Sequence, residues 1–258
     1  MLSIAVVTGA AGGLGRAISL ELSKKYHVAL LDLEQSRLDI VAEEIGKDKT
    51  STWICDITCP EQVERVSKEI IELGRVKCLV NNAGHADKDT LHETTPSSWR
   101  SEVALNLDAS FTVFHSFESS FRDHPTDVNI INIASVNGVM SCVGNPAYSA
   151  AKAGLISLTK SMAIELGGLG IRANAILPGT VITGAWTERL KVNPKAMDDI
   201  IKWYPLKRRI VPEDIAKAVA FLDTSPAITG ICLPVDAGLT AGSTPIAAAI
   251  THSPLFDA

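Results

Sequence analysis

Short unbroken apolar runs alternate along the chain with longer stretches in which apolar residues recur every three to four positions. Runs of the first kind suit strands buried on both faces, and the longer stretches suit helices that cover them. The runs Ile4 to Thr8, His27 to Asp32, Ser51 to Cys55, Cys78 to Asn81, Asn129 to Ile133, Arg172 to Leu177 and Ile231 to Val235 predict seven strands. Helical stretches such as Glu61 to Leu73 and Ser97 to Phe121 lie between them. Strands separated by helical crossovers predict an α/β fold, a doubly wound and mostly parallel seven-stranded sheet with helices on both faces. No repeat, low-complexity tract or Pro/Gly/Ser-rich linker divides the chain, so one domain over residues 1–258 is expected.

Two segments break the rhythm. Thr180 to Val211 is long, carries Trp186, Trp203 and Tyr204, and is bracketed by Pro178 and Pro212. Excursions of this kind at strand ends commonly carry ligand contacts, and residues 180–211 are expected to form a substrate lid. The tail from Thr240 to Ala258, small and apolar with no strand partner in view, is expected to pack on its own body or on a neighbouring subunit.

Composition narrows the function. Among 258 residues, 24 Lys and Arg against 29 Asp and Glu give a net charge of −5, and no long segment is basic. That argues against a nucleic-acid partner or an anionic membrane surface and favours a small soluble ligand. Hydrophobic residues at 46 % and charged residues at 21 % are a globular balance. The five cysteines, Cys55, Cys59, Cys78, Cys142 and Cys232, contain no CxxC pair. Neither a disulfide framework nor a metal site is written in them, and reduced, mostly buried thiols are expected. No signal-like segment precedes the first strand and no apolar run reaches membrane-spanning length, so a cytoplasmic location is expected.

The first strand runs into Thr8-Gly9-Ala10-Ala11-Gly12-Gly13-Leu14-Gly15-Arg16, after which helical periodicity begins. Glycines at such a turn let backbone amides and a helix amino terminus approach a pyrophosphate without an intervening β-carbon. Their spacing is GxxxGxG at Gly9, Gly13 and Gly15, which is not a strict GxGxxG, and no Lys followed by Ser or Thr makes it a Walker loop. A dinucleotide on a Rossmann-type sheet is the expected ligand. The second strand ends at Asp32, 17 residues beyond Gly15, where a carboxylate can accept hydrogen bonds from an adenosine ribose and would repel a 2′-phosphate. Leu33 and Glu34 supply no base beside it, and the nearest, Arg37, lies on the following helix, so NAD is expected over NADP. Asp56, after the third strand, is placed either at the adenine edge or in turn chemistry. Leu14, Leu33 and Ile57 are the apolar neighbours expected to line the cofactor.

A second constellation follows the fifth strand. In Asn145-Pro146-Ala147-Tyr148-Ser149-Ala150-Ala151-Lys152, Asn145 is a plausible cap and Pro146 suits the first helical position. Tyr148 and Lys152 then share one helix face at i and i+4. An ammonium about 4 Å from a phenolate is worth of the order of 4 kcal/mol at an effective dielectric near 20, before desolvation. The helix amino terminus acts in the same direction. A Tyr148 pKa lowered from its ordinary value is therefore expected, suited to proton exchange with an alcohol or carbonyl oxygen. Ser135, 13 residues earlier, can hold the same oxygen.

Taken together, these residues resemble the classical short-chain dehydrogenase/reductase family. The resemblance covers nearly the whole chain: the TGxxxGxG segment from Thr8 to Gly15, Asn81-Asn82-Ala83-Gly84, Asn106, Ser135, Tyr148 with Lys152, and Pro178-Gly179 followed by Thr183. It implies that Tyr148 is the catalytic acid/base, that Ser135 orients and polarises the substrate oxygen, and that Lys152 tunes Tyr148 while binding the nicotinamide ribose. It further implies that Asn106 holds a water in a proton relay. Asn82, Ala83 and Gly84 would line the adenine and ribose side, and Pro178, Gly179, Val181 and Thr183 would meet the nicotinamide carboxamide. A homotetramer built through the Ser97 to Phe121 and Pro146 to Leu166 helices is likewise implied. The family's glycine pair near the last strand reads Asp236-Ala237-Gly238 here, which puts only local turn geometry in doubt.

The expected activity is reversible hydride transfer between NAD and a secondary alcohol. Residues expected to face the substrate include His85, Asn137, Asn145 and Trp186, with no cluster of Arg or Lys to announce a carboxylate or phosphate. A polyol, sugar, cyclic alcohol or hydroxyketone fits best. The alternative is a catalytically silent NAD-binding sensor or scaffold, which would need the glycine turn but not Ser135, Tyr148 and Lys152. A methyltransferase does not require that triad, and the chain lacks length for the added domain of a sugar-nucleotide epimerase.

Overall fold

A computed structural model describes residues 1–87, 89–125 and 127–242. Its strands are β1 (Leu2–Thr8), β2 (His27–Asp32), β3 (Thr50–Ile54), β4 (Gly74–Asn81), β5 (Asn129–Ile133), β6 (Arg172–Pro178) and β7 (Cys232–Val235). The helices between them are α1 (Gly13–Leu22), α2 (Gln35–Ile45), α3 (Pro60–Leu73), α4 (Pro96–Val103), α5 (Ala109–Asp123), α6 (Pro146–Gly167), α7 (Ala185–Val192), α8 (Ala196–Ile201) and α9 (Pro212–Asp223). All seven strands pair in parallel, in the order β3-β2-β1-β4-β5-β6-β7. The order reverses between β1 and β4. Sheets of this kind open a ligand crevice there, at the carboxyl ends of the strands.

Side chains alternate across a strand, and here both faces are covered. Ala5 and Val7 of β1, with Val28 and Leu30 of β2, pack against Ile18, Leu38, Ile215 and Val219 from α1, α2 and α9. Ile4 and Val6, with Ala29 and Leu31, pack the other way against Val66, Ile70, Val113, Phe117 and Met162 from α3, α5 and α6. This double burial is why the strands are continuous apolar runs.

Two elements differ from expectation. β4 begins at Gly74, four residues before Cys78, because a Cβ at Gly74 would stand 2.7 Å from the Leu2 carbonyl oxygen. The strands approach closely through a glycine that hydropathy does not register. The helix expected over Ser97 to Phe121 is interrupted: a π-helical turn, Ala104–Asp108, separates α4 from α5 and carries Asn106.

The excursion after β6 is tied at its base by a bridge between Val181 and Ile210. Tyr204, 2 % exposed, accepts the Thr180 N–H on its hydroxyl, which makes it part of the frame. Of the tail expected over 240–258, residues 243–258 lie outside the described residues. All five cysteines are free, but only Cys55 and Cys78 are buried, and Cys142 is exposed. No described helix is long and apolar enough to cross a membrane.

Candidate active site

Above the carboxyl ends of β1 and β4 lies a cleft of about 630 Å³. Its floor is the turn from β1 into α1. Gly9 has a φ of +64°, and a Cβ there would sit 2.9 Å from Ala83 Cα. A Cβ on Gly15 would fall 2.1 Å from the Gly9 carbonyl oxygen, so α1 can start this close to β1 only with glycine. The turn is fastened to the segment after β4. Thr8 Oγ1 accepts N–H groups from Asn82 and Ala83, both at 3.0 Å, and Asn82 Nδ2 donates to Thr8 O at 2.9 Å. No side chain caps α1, whose first residues, Gly13, Leu14 and Gly15, line the cleft. Across the opening stands Thr183, its Cβ 3.2 Å from where a Gly13 Cβ would be. An uncapped helix amino terminus reached through glycines suits a diphosphate, and the cleft is of a size to take a dinucleotide.

Asp32 lies at one end of this cleft with Leu33, Asp56 and Ile57. One Asp32 oxygen accepts the Ala11 N–H at 2.9 Å and the other the Leu33 N–H at 2.7 Å. A carboxylate oxygen has a second acceptor site, so each can still receive a ribose hydroxyl. Asp56 Oδ1 accepts the Thr58 N–H at 2.9 Å and its hydroxyl at 2.6 Å, the turn chemistry foreseen as one of its two roles. Arg37, set aside in sequence as lying on the next helix, reaches back into the cleft, where Nη2 donates to Ala11 O at 3.0 Å.

Ser135, Tyr148 and Lys152 line the other end, together with Pro178, Gly179, Val181 and Thr183. α6 is located by a buried polar chain: Asn81 Nδ2 donates to Asn132 Oδ1 at 2.8 Å, and Asn132 Nδ2 donates to Thr159 Oγ1 at 2.8 Å. Ser135 follows β5 directly and accepts the Asn137 N–H at 3.1 Å. Lys152 is 3 % exposed and donates from Nζ to Ile133 O at 2.9 Å. Gly84 gives it room, because a Cβ there would stand 3.3 Å from Nζ and 2.7 Å from Asn106 Oδ1. Asn106, wholly buried, donates to His85 O at 2.7 Å and Glu102 O at 3.0 Å.

Electrostatics correct one expectation. Tyr148 is half-buried, and desolvation holds its phenol above the ordinary value; the Ser135 hydroxyl pulls it back, and the Glu102 charge pushes it further up. The Lys152 ammonium is pushed down to about 8 by burial. Its Nζ stands 5.6 Å from the centre of the phenol ring with its hydrogen bond turned to Ile133. Burial outweighs helical proximity, so the phenol is protonated at neutral pH. The cap differs as well: Asn145 is the N-cap residue of α6, yet its side chain makes no cap hydrogen bond.

Ser135, Tyr148, Gly179 and Val181 also line a neighbouring pocket of about 380 Å³, which contains Asn137, Asn145 and Trp186. His85 is not on that wall; it lines the larger cleft, largely exposed, with Nε2 3.3 Å from Asp87 Oδ1. Val139, Met140 and Trp203 line a separate apolar surface depression. Sequence reasoning missed Arg37 as a cleft residue and Glu102 altogether; both act at long range in the chain, and no local spacing signals them.

A family model described as enoyl-(acyl carrier protein) reductase matches residues 9–240. An uncharacterized oxidoreductase of Schizosaccharomyces pombe is 38 % identical over 243 residues, 93 % of this chain and 92 % of that protein. A crystal structure of a short-chain dehydrogenase/reductase family oxidoreductase from Burkholderia thailandensis superposes with a TM-score of 0.91 at 38 % identity, covering 98 % of both chains. The structure of ElxO with NADP bound superposes with a TM-score of 0.87 at 26 % identity, covering 94 % of this chain and 100 % of that one. With its parallel seven-stranded sheet, glycine turn and Ser-Tyr-Lys wall, the chain belongs to the short-chain dehydrogenase/reductase family of oxidoreductases.

Proposed function

We propose that this oxidoreductase interconverts a neutral secondary alcohol and its ketone with NAD. The observation that carries the proposal is that Ser135 and Tyr148 stand on the wall shared by the dinucleotide-sized cleft and the smaller pocket. A group bound in either space meets the same two hydroxyls. A nicotinamide cofactor, when bound, supplies the hydride acceptor or donor. The protein's part is to hold the substrate oxygen and manage its proton. In oxidation Tyr148, as phenolate, takes the hydroxyl proton while the C–H pair leaves as hydride; in reduction the phenol returns a proton to the alkoxide. Ser135 donates a hydrogen bond to the oxygen as negative charge develops on it. Lys152, while protonated, adds positive charge beside the phenol, and Asn106 secures the backbone of His85 nearby. Asn82, Ala83 and Gly84 would meet the adenosine side, and Pro178, Gly179, Val181 and Thr183 the carboxamide end.

The smaller pocket is lined by apolar, amide and hydroxyl groups with no charged side chain among its described residues, which favours a polyol, sugar, cyclic alcohol or hydroxyketone. NAD is favoured by the Asp32 carboxylate. A second reading, NADP, is favoured by the Arg37 guanidinium in the same end of the cleft. One domain, a homotetramer and a cytoplasmic location remain part of the proposal through family resemblance and composition.

The test is reduced-nicotinamide absorbance with NAD and NADP, each against a panel of neutral alcohols and hydroxy acids. Turnover of neutral alcohols with NAD supports the proposal. Turnover confined to NADP replaces the cofactor assignment, and NAD binding without turnover of any member would favour a sensor.

A further inference from the structure

Among the described residues, charged side chains are buried at Glu102, Lys152, Asp223 and Asp236, and Asp223 is taken up by Lys25 and Tyr26. Asp236 is spent on its own turn, accepting from Gly238 N, Thr240 N and Thr240 Oγ1. Lys152 belongs to the site. Glu102, 6 % exposed, has no part in the chemistry above, yet it lies one helical turn before Asn106, at the end of α4. Its Oε1 accepts the Asp87 N–H. The same carboxylate shares a small cavity with Asn145, Pro146 and Ala147 at the start of α6 and faces the Tyr148 N–H, which pulls its pKa down against burial. Asn145, the residue in the cap position, cannot serve: oriented so that both ends of its amide are satisfied, it donates to Asp87 O at 3.0 Å and Gly144 O at 3.1 Å.

Helix amino termini leave unpaired N–H groups and a partial positive charge, and a carboxylate answers both. Glu102, on another helix, stands at the amino terminus of α6. The main-chain carbonyl of Glu102 in turn accepts the Asn106 side-chain amide, Nδ2 to O at 3.0 Å. One residue therefore joins α4, the segment after β4 and the start of the helix that carries Tyr148 and Lys152.

We propose that Glu102 is a positioning residue of the oxidoreductase reaction, which caps α6 from across the site and holds Tyr148 in register with the His85 to Asp87 segment. Its charge has a second effect. A buried anion beside the phenol opposes loss of the phenol proton, so Glu102 raises the pH at which Tyr148 becomes a base. The charged groups facing it are His85 and Asp87 from the segment after β4, with Asp89 on the same small cavity; α6 presents only Tyr148. The proposal rests on the acid/base role of Tyr148 for its kinetic arm only.

The test uses NAD-loaded protein labelled with tyrosine carrying 13C at Cζ, the Tyr148 resonance being identified by its loss in Tyr148→Phe. In Glu102→Gln, which keeps shape and an acceptor but removes the charge, the Tyr148 titration midpoint is expected to fall by about half a unit to one unit. In Glu102→Leu, which removes the acceptors, kcat is expected to fall at least about tenfold with KM for NAD within about twofold. Glu102→Asp, retaining charge on a shorter arm, should keep the parental midpoint and lose kcat. An unmoved midpoint in Glu102→Gln overturns the electrostatic half, and undiminished kcat in Glu102→Leu overturns the positioning half. The NMR titration needs no turnover, so it reads Glu102 even if the alcohol panel fails. Should Glu102→Leu not fold, Glu102→Asp decides the positioning half.

Discussion

Lys152 reaches past the Tyr148 ring to the carbonyl oxygen of Ile133, 2.9 Å away, and is buried there with its ammonium pushed down to about 8. The unfolded chain holds its proton up to an ordinary lysine value, so between the two values the unfolded state binds more protons. Stability therefore rises with pH across that window as the charge is lost. In Lys152→Met this contribution is absent. The difference in unfolding free energy between parent and variant should shift in the parent's favour as pH climbs through 8, measured by urea melts at several pH values. A difference flat from pH 7 to 10 would show that Lys152 is not desolvated.

Tyr148→Phe keeps the ring and removes the proton. Turnover should fall by about 10²–10⁴-fold or more, with NAD binding within about twofold of the parent. Near-normal activity would remove Tyr148 from the acid/base role. Because burial holds the phenol above its ordinary value, kcat for alcohol oxidation should increase with pH through the neutral and alkaline range, while ketone reduction should weaken at its upper end. A profile in which oxidation falls as pH rises would contradict that sign.

In the proposed function, the choice of cofactor turns on Asp32 and Arg37. A charge-assisted bond to a ribose hydroxyl is worth about 1.5–3 kcal/mol, so Asp32→Ala should cost about 10- to 100-fold in kcat/KM with NAD and narrow the NAD/NADP ratio. Arg37→Ala should leave NAD kinetics nearly unchanged. If that variant instead loses activity with NADP that the parent possesses, the guanidinium is a phosphate ligand.

Ala237 stands in the left-handed region at φ +53°, where an L side chain is strained, and is followed by Gly238 at φ +90°. The turn holds because buried Asp236 accepts from Gly238 N at 2.9 Å and Thr240 N at 2.7 Å. Ala237→Gly should stabilise the protein by about 0.5–1 kcal/mol, seen as a higher denaturation midpoint without loss of activity. A lower midpoint would mean that the methyl group packs better than its backbone suffers.

The sequence by itself determined what depends on neighbours in the chain. Strands such as Ile4 to Thr8 were legible because both faces of a central strand must be apolar, and the helical approach of Tyr148 and Lys152 follows from a spacing of four. The glycines at 9, 13 and 15 announce a tight turn through their missing β-carbons. Only the tertiary structure decided what depends on packing between distant segments. The parallel register of seven strands set Ser135 against Tyr148, and the return of α2 brought Arg37 to the glycine turn. Asn145, expected to cap α6, makes no cap hydrogen bond, and the carboxylate that faces the start of that helix is Glu102, 43 residues away in sequence. The sign of the Tyr148 shift belongs to the same class. Proximity along a helix can be read from spacing, but desolvation is set by everything that closes around a group, and here it governs both Tyr148 and Lys152.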